Sequence, residues 1–297
     1  MKQTYYEQCG LVLIEDERKS RLYKVENQPE AMTFKLSPLK NFEDAYDSIK
    51  VYPQSNLIIS SHGVYTLDGT LIISRSGAEI KLYSSGKSWV IVLDYKRDTD
   101  TRYCAIWWNG NRKFVVAFGN LLYTDNNYFA FYIKRNHCWT VYTAGGSLVL
   151  ETDRCEGEGV EICGNFMIVH AVGNHTLYYL RQSFNYAIQS ANIFGYQQLV
   201  MCSAHDDFAI CADLKGVIKS YFHGILTEFE NADHIELFDF ASVFSLKRGN
   251  KFFLYHFDGQ PFMPEENLNE VDFVAGNKEQ KALLIGTDGN YRQFKFA

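Results

Sequence analysis

Apolar and polar residues alternate along this chain with a period of two, in short stretches that each end at a glycine or polar turn. That period marks half-buried β-strands, whereas an amphipathic helix repeats every 3.6 residues. An apolar run, a polar turn and a second alternating strand carrying an aromatic recur from end to end. The aromatics are Tyr23, Tyr65, Trp107, Tyr142, Tyr178, Tyr221, Tyr255 and Phe294, spaced 34 to 43 residues apart with a mean near 39. A repeat of roughly 40 residues is long enough for four short strands and too long for a leucine-rich repeat. Helical repeats of similar length are excluded by the β-branched and aromatic content of the alternating stretches.

Turn chemistry supports hairpins. Asp68-Gly69, Gly145-Gly146, Gly224, Asp258-Gly259 and Asp288-Gly289 supply the positive-φ residues that tight turns need. One repeat, written out, predicts strands over 235–240, 243–247, 252–257 and 260–264. The next predicts strands over 271–275, 282–285 and 291–296 and then stops at Ala297. One segment departs from the pattern. Ser37-Pro38 followed by Leu39, Phe42, Tyr46 and Ile49 has helical spacing behind a capping residue, so a short helix is expected between the first two repeats.

In period and in strand-and-turn pattern the chain resembles degenerate β-propeller families whose units end in an aromatic strand and a glycine turn. The likeness runs over nearly its whole length. It lacks the Gly-His and Trp-Asp marks of WD repeats, and a single Gly145-Gly146 falls short of kelch repeats. The resemblance implies an all-β fold: one propeller domain over 1–297, with eight four-stranded blades and seven as the alternative. Because the last repeat lacks a fourth strand, the strand-like residues 3–6 are expected either to complete it or to open the first blade. Ring closure of this kind would remove exposed sheet edges. Propeller families share a scaffold and not a chemistry, so the resemblance carries over no functional residue.

With 46% hydrophobic, 15% aromatic and 22% charged residues over 297 positions, the chain can bury a large core and is not disordered. The first ten residues contain no apolar stretch followed by a small-residue cleavage site, so the expected location is cytoplasmic. Apolar runs such as residues 89–93 are far shorter than the roughly 20 residues that cross a bilayer, which argues against a membrane protein. The formal net charge of -6 argues against a general nucleic-acid binder and suits a cationic partner. The cysteines at 9, 104, 138, 155, 163, 202 and 211 form no Cys-x-x-Cys pair and read as free thiols, without disulfide or zinc.

No catalytic, cofactor or metal motif stands out. His170 and His175 flank a turn at Gly173-Asn174, and His205-Asp206-Asp207 falls where a solvated turn is expected. Ser60-Ser61-His62-Gly63 reads as a hairpin turn. His137 and Cys138 are adjacent in an alternating strand, which would point them to opposite faces. Glycine-rich phosphate loops are absent, and the sequon Asn174-His175-Thr176 matters only in a secreted chain. A pair of carboxylates brought together from distant repeats could still support glycoside chemistry.

Acidic residues concentrate after the fourth strands: Glu43, Asp44 and Asp47; Glu151, Asp153, Glu156, Glu158 and Glu161; Glu228, Glu230, Asp233 and Glu236; Glu265, Glu266, Glu270 and Asp272. By strand count these links share one end of the sheets with the turns between second and third strands, including Glu15-Asp16-Glu17. The tight glycine turns are expected at the other end. This distribution predicts a non-catalytic binding protein that captures a basic partner through Glu156, Glu158, Glu161, Glu228, Glu230, Asp233, Glu236, Glu265, Glu266, Glu270 and Asp272. The most specific form is a cytoplasmic immunity protein that neutralises a cationic toxin such as a nuclease. A carbohydrate-active hydrolase or lyase and a structural scaffold are the alternatives.

Overall fold

In the computed structural model the alternating stretches fold into antiparallel strands, each paired with its neighbours in sequence. The structure describes residues 1–28, 33–75, 77–85, 88–96, 101–110, 112–125, 127–152, 159–171, 174–180, 192–203, 206–213, 215–263 and 270–297. They group into two compact halves, Met1–Leu148 and Val149–Ala297.

The strands between Lys2 and Glu151 form successive four-stranded meanders. β1 (Lys2–Tyr6), β2 (Leu11–Asp16), β3 (Lys19–Gln28) and β4 (Thr33–Pro38) form the first sheet. β5 (Ile49–Tyr52), β6 (Leu57–Ser60), β7 (Gly63–Tyr65) and β8 (Leu71–Ser74) form the second. The third holds β9 (Glu79–Ser85), β10 (Ser88–Tyr95), β11 (Arg102–Trp108) and β12 (Lys113–Gly119). The fourth holds β13 (Leu121–Thr124), β14 (Tyr128–Ile133), β15 (Cys138–Thr143) and β16 (Leu148–Glu151). β1 pairs with β2, so the N-terminal strand opens the first sheet.

The C-terminal half continues the repeat with one fusion. β17 (Gly159–Cys163), β18 (Phe166–Ala171), β19 (Asn174–Tyr179), β20 (Asn192–Cys202), β21 (Phe208–Asp213), β22 (Ile218–Phe222) and β23 (Ile225–Phe229) make one seven-stranded sheet. The start of β20 pairs with β19 and its end with β21, so one long strand serves as the fourth of one repeat and the first of the next. β24 (His234–Phe238), β25 (Val243–Arg248), β26 (Lys251–His256) and β27 (Glu270–Val271) form the next sheet. β28 (Phe273–Asn277), β29 (Ala282–Thr287) and β30 (Asn290–Lys295) form a three-stranded last one among the described residues.

All eight repeat aromatics fall on third strands: Tyr23 on β3, Tyr65 on β7, Trp107 on β11, Tyr142 on β15, Tyr178 on β19, Tyr221 on β22, Tyr255 on β26 and Phe294 on β30. Within each half the sheets stack face to face. Tyr65, Tyr142, Tyr255 and Phe294 each pack toward the preceding sheet, and Tyr221 packs on the preceding repeat within its own seven-stranded sheet. Trp107 breaks this register. It faces the fourth sheet with Val90, Val92, Phe129 and Phe131, while Trp108 takes the opposite face. β10 is covered on one face by the second sheet and on the other by the fourth, so it is buried almost continuously, which explains an apolar run that does not alternate. Each fully buried Leu, Ile or Phe contributes about 1.5–3 kcal/mol relative to exposure.

A turn device that the repeat search missed joins first to second strands. Tyr6, Tyr52 and Phe238 each lead into a single 3-10 turn that ends on a left-handed residue, namely Gly10, Asn56 and Ser242. The backbone N–H of that residue returns to the carbonyl three residues earlier. An aromatic, three residues and then Gly, Asn or Ser before Leu or Val is its sequence mark, because these small residues tolerate positive φ.

Three expectations are corrected. Residues 37–49 form no helix. Leu39, Phe42 and Ile49 are buried with Tyr46 against them, so the spacing did mark core contacts. However, Pro38 pairs with Tyr23, Asn41 has a φ of 63°, and Tyr46 bridges Ser20 through N–H and C=O. Backbone groups bonded to β3 cannot also close helical turns. Second, of the fourth strand expected at 260–264 the described residues show an isolated bridge between Pro261 and Tyr255, and Glu270–Val271 pairs opposite Phe253 and Phe252, so Val271 does not begin the next sheet. Proline lacks the N–H that a continuous ladder needs. Third, His137 lies in the turn before β15 with a φ of 52°, its ring Nδ1 3.1 Å from the Tyr132 hydroxyl, so it does not share a strand with Cys138.

Among the described residues no helix is long and apolar enough to cross a membrane.

Candidate functional site

Each sheet has two ends. One carries the turns between first and second and between third and fourth strands. The other carries the turns between second and third strands together with the links between sheets. In the C-terminal half the predicted carboxylates gather at the second kind of end. Glu228 closes β23, Glu230 and Asp233 sit on the link to β24, and Glu270 and Asp272 flank the step from β27 to β28. Glu161 lies on β17, and Glu236 lies inside β24 opposite Ser245. Glu156, Glu158, Glu265 and Glu266 lie outside the described residues. Asp258-Gly259 and Gly224 occupy the opposite end as expected, but Asp288-Gly289 joins a second strand to a third and so lies at the carboxylate end.

The structure adds the basic side chains that stand among these acids. Lys219 Nζ is 3.1 Å from Glu228, and the Arg248 guanidinium is 3.2 Å from Glu230 while donating to the Glu230 and Asn231 carbonyls. Lys251 Nζ is 2.7 Å from Asp272 and 3.4 Å from Glu270, and His170 Nε2 is 3.7 Å from Glu161. This end is a patterned array of both signs.

Two of the acids also hold turns. Asp233 accepts the Gly249 N–H at 2.7 Å, and Asp272 accepts the Asp288 N–H at 2.8 Å. Gly249 and Asp288 both have positive φ, and each acid stands just before the first strand of its sheet. The same device thus recurs in two successive sheets. It satisfies a turn N–H that the strand ladder leaves open.

The Lys251 hydrogen bond and then the Asp288 N–H hold the Asp272 carboxyl below the ordinary aspartate value of 3.8, and Asp272 in turn raises Lys251. A depressed carboxyl supports the fold above its ordinary value and loses that contribution as pH falls through its folded value. An NMR titration of the Asp272 side chain is therefore expected to find a midpoint below 3.8, moving upward in Lys251→Met. A midpoint unmoved by that substitution would exclude the lysine as the cause.

The opposite end of the C-terminal half holds a buried polar cluster where a solvated turn was expected. Asp207 is only 5% exposed. Its carboxylate accepts the Tyr179 hydroxyl at 2.8 Å and the Asn165 side-chain amide, and His223 Nδ1 lies 3.4 Å away. Next to it, Asp206 accepts the Ser242 hydroxyl at 3.0 Å, and Ser203 donates to Asp239. His205 lies outside the described residues. The carboxylates of the two neighbouring turns are thus tied by hydroxyl and amide donors, which suits a structural staple.

The described cysteines 9, 104, 138, 163, 202 and 211 are free thiols, and Cys155 is outside the described residues. Burial pushes Cys104 up to about 11, and the Cys163 thiol together with burial raises Cys202. Thiols held protonated in this way are poor nucleophiles. His170 and His175 are register partners on β18 and β19. Among the described residues no group of three or more His, Cys, Asp or Glu side chains is arranged to hold a metal ion.

No protein-family model matches the chain, and no curated protein matches it. The solved structures similar to it include β-propeller proteins. Hsv2 of Kluyveromyces lactis is 10% identical, with 99% of this chain and 92% of that chain covered and a TM-score of 0.32. Hsv2 of Kluyveromyces marxianus is 9% identical over 100% and 98%, with a TM-score of 0.32. Sqt1 of Chaetomium thermophilum is 12% identical over 96% and 92%, with a TM-score of 0.31. At scores this low the fold rests on the chain's own repeated sheets, and no residue's role is transferred.

Proposed function

We propose that the chain is a non-catalytic protein-binding β-propeller of eight repeats, and that it captures a basic protein at the carboxylate end of its sheets. The observation that carries this reading is the gathering of Glu228, Glu230, Asp233, Glu270 and Asp272 over two successive inter-sheet links, with the Glu230 side chain 87% exposed. Lys219 pairs with Glu228, Arg248 with Glu230, and Lys251 with Glu270 and Asp272, so basic side chains are interleaved with the acids. An array of both signs can orient a partner as well as attract it. The most specific form of the proposal is an immunity protein that occludes the substrate groove of a cationic nuclease toxin in the cytoplasm. A nuclease groove built for phosphates carries the charge these acids would meet.

The test starts from a partner recovered by affinity capture from the native host, with association followed by stopped flow. The on-rate is expected to fall severalfold between low salt and roughly 0.15 M, where the Debye length is about 8 Å. Glu161→Gln, Glu230→Gln and Glu270→Gln combined should lower it at low salt while leaving folding nearly untouched, since exposed ion pairs stabilise little. A salt-independent on-rate would remove electrostatic capture. A partner that keeps its nuclease activity when bound would remove the immunity role and leave the binding function.

A further inference from the structure

We propose that Cys163 and Cys202 are a redox-sensitive pair, which a small disulfide such as glutathione disulfide oxidises to a reversible cross-link between two successive repeats of the C-terminal half.

Register brings the two thiols together. Cys163 ends β17 and pairs with Phe166 of β18, which in turn pairs with Tyr179 of β19, so the three side chains share one face. Phe166 and Tyr179 pack in one core with Ala209 and Cys211 of β21 and with Cys202, the last residue of β20. Cys163 therefore faces the strand that opens the next repeat. Its Sγ donates to the Cys202 carbonyl at 3.3 Å, and the two thiols are hydrogen-bonded to each other. Both residues are partly exposed. Cys211 stands diagonally across from Cys202 on the neighbouring strand, but it is fully buried and so closed to an oxidant. Thiols already in contact reach disulfide geometry by turning about their own side-chain bonds.

The oxidation takes two exchanges. The Cys163 thiolate attacks one sulfur of glutathione disulfide, forming a mixed disulfide and releasing one glutathione thiolate. The Cys202 thiolate then attacks the Cys163 sulfur and releases the second, and the two cysteine protons pass to the two glutathiones. Two cysteines are oxidised to one disulfide while one glutathione disulfide is reduced to two thiols. Contact with the Cys163 thiol is the largest influence that holds Cys202 protonated. The first exchange consumes that thiol, so Cys202 ionises more easily at the step that needs its thiolate. The cross-link would lie beside the polar cluster. Asn165, which donates to Asp207, follows Cys163 by two residues, and Ser203, which donates to Asp239, follows Cys202 directly. It would tie the same two repeats that Asp207 joins through Asn165.

The full chain held in glutathione buffers of graded disulfide content tests this, with the remaining thiols alkylated and the peptides mapped by mass spectrometry. The expected product joins the peptide of Cys163 to that of Cys202 with the loss of two hydrogens, and dithiothreitol reverses it. Oxidation should slow proteolysis of the C-terminal half by about tenfold, in Asp207→Ala as well as in the parent, since the disulfide replaces a tie that this variant lacks. Cys163→Ser should abolish both the cross-link and the protection. The map of the parent chain decides without any variant: no cross-link at any disulfide content, a glutathione adduct that persists on Cys163, or a cross-link through Cys155 or Cys211 instead would each overturn the proposal. So would a Cys163→Ser chain that oxidation protects as fully as the parent.

Discussion

Replacing Trp107 with alanine is expected to destabilise the N-terminal half by about 3–5 kcal/mol, the range for removing a large aromatic from a packed core. Trp107 is fully buried between the third and fourth sheets. Its ring centroid lies 5.2 Å from Tyr142, 5.6 Å from Phe129 and 6.5 Å from Phe131, so several rings line the hole that alanine would leave. The indole N–H also donates to the Ala144 carbonyl at 3.2 Å. Trp107→Phe should cost much less, keeping most of the volume and losing that hydrogen bond, worth about 1 kcal/mol. Denaturant titration gives the sum. Hydrogen exchange gives the location, with lost protection expected on β10, β11, β14 and β15. A small change spread evenly over both halves would show that Trp107 does not tie these sheets together.

The second large effect is expected at Asp207. Asp207→Ala should cost about 2–4 kcal/mol in the C-terminal half, because it leaves the Tyr179 hydroxyl and the Asn165 amide without their buried acceptor. Asp207→Asn keeps one acceptor oxygen and should cost less. In the double variant Asp207→Ala with Tyr179→Phe the losses should not add, since the second substitution removes the donor that the first stranded. Additive losses would mean that the two residues stabilise the fold separately. Full stability of Asp207→Ala would mean that solvent satisfies these donors and that the cluster is no staple.

Much of the candidate site is visible in the sequence for a simple reason. The acids fall at the ends of fourth strands, as Glu228 and Glu270 do, or on the links that follow, as Glu230, Asp233 and Asp272 do, and strand count alone assigns those links to one end of each sheet. Their partners are not visible. Lys251 reaches Asp272 across 21 residues, and Asp233 reaches Gly249 across 16. Which basic residue stands opposite which acid depends on register and on the path of the link, and alternation specifies neither.

What the sequence determined by itself is the local part: antiparallel strands, a repeat near 39 residues, and an aromatic on the third strand of every repeat. These follow from interactions between near neighbours, because side chains two apart share a face and positive-φ residues close the turns. Tertiary structure decided the rest. It unwound the helical spacing of Leu39, Phe42, Tyr46 and Ile49 by bonding Tyr46 to Ser20, and it ran one strand, β20, through two repeats. It also buried Asp207 beneath Tyr179 and Asn165, which lie 28 and 42 residues away. Contacts over such separations form only when whole sheets stack. Their energy then outweighs a local preference of a few tenths of a kcal/mol to about 1 kcal/mol per residue.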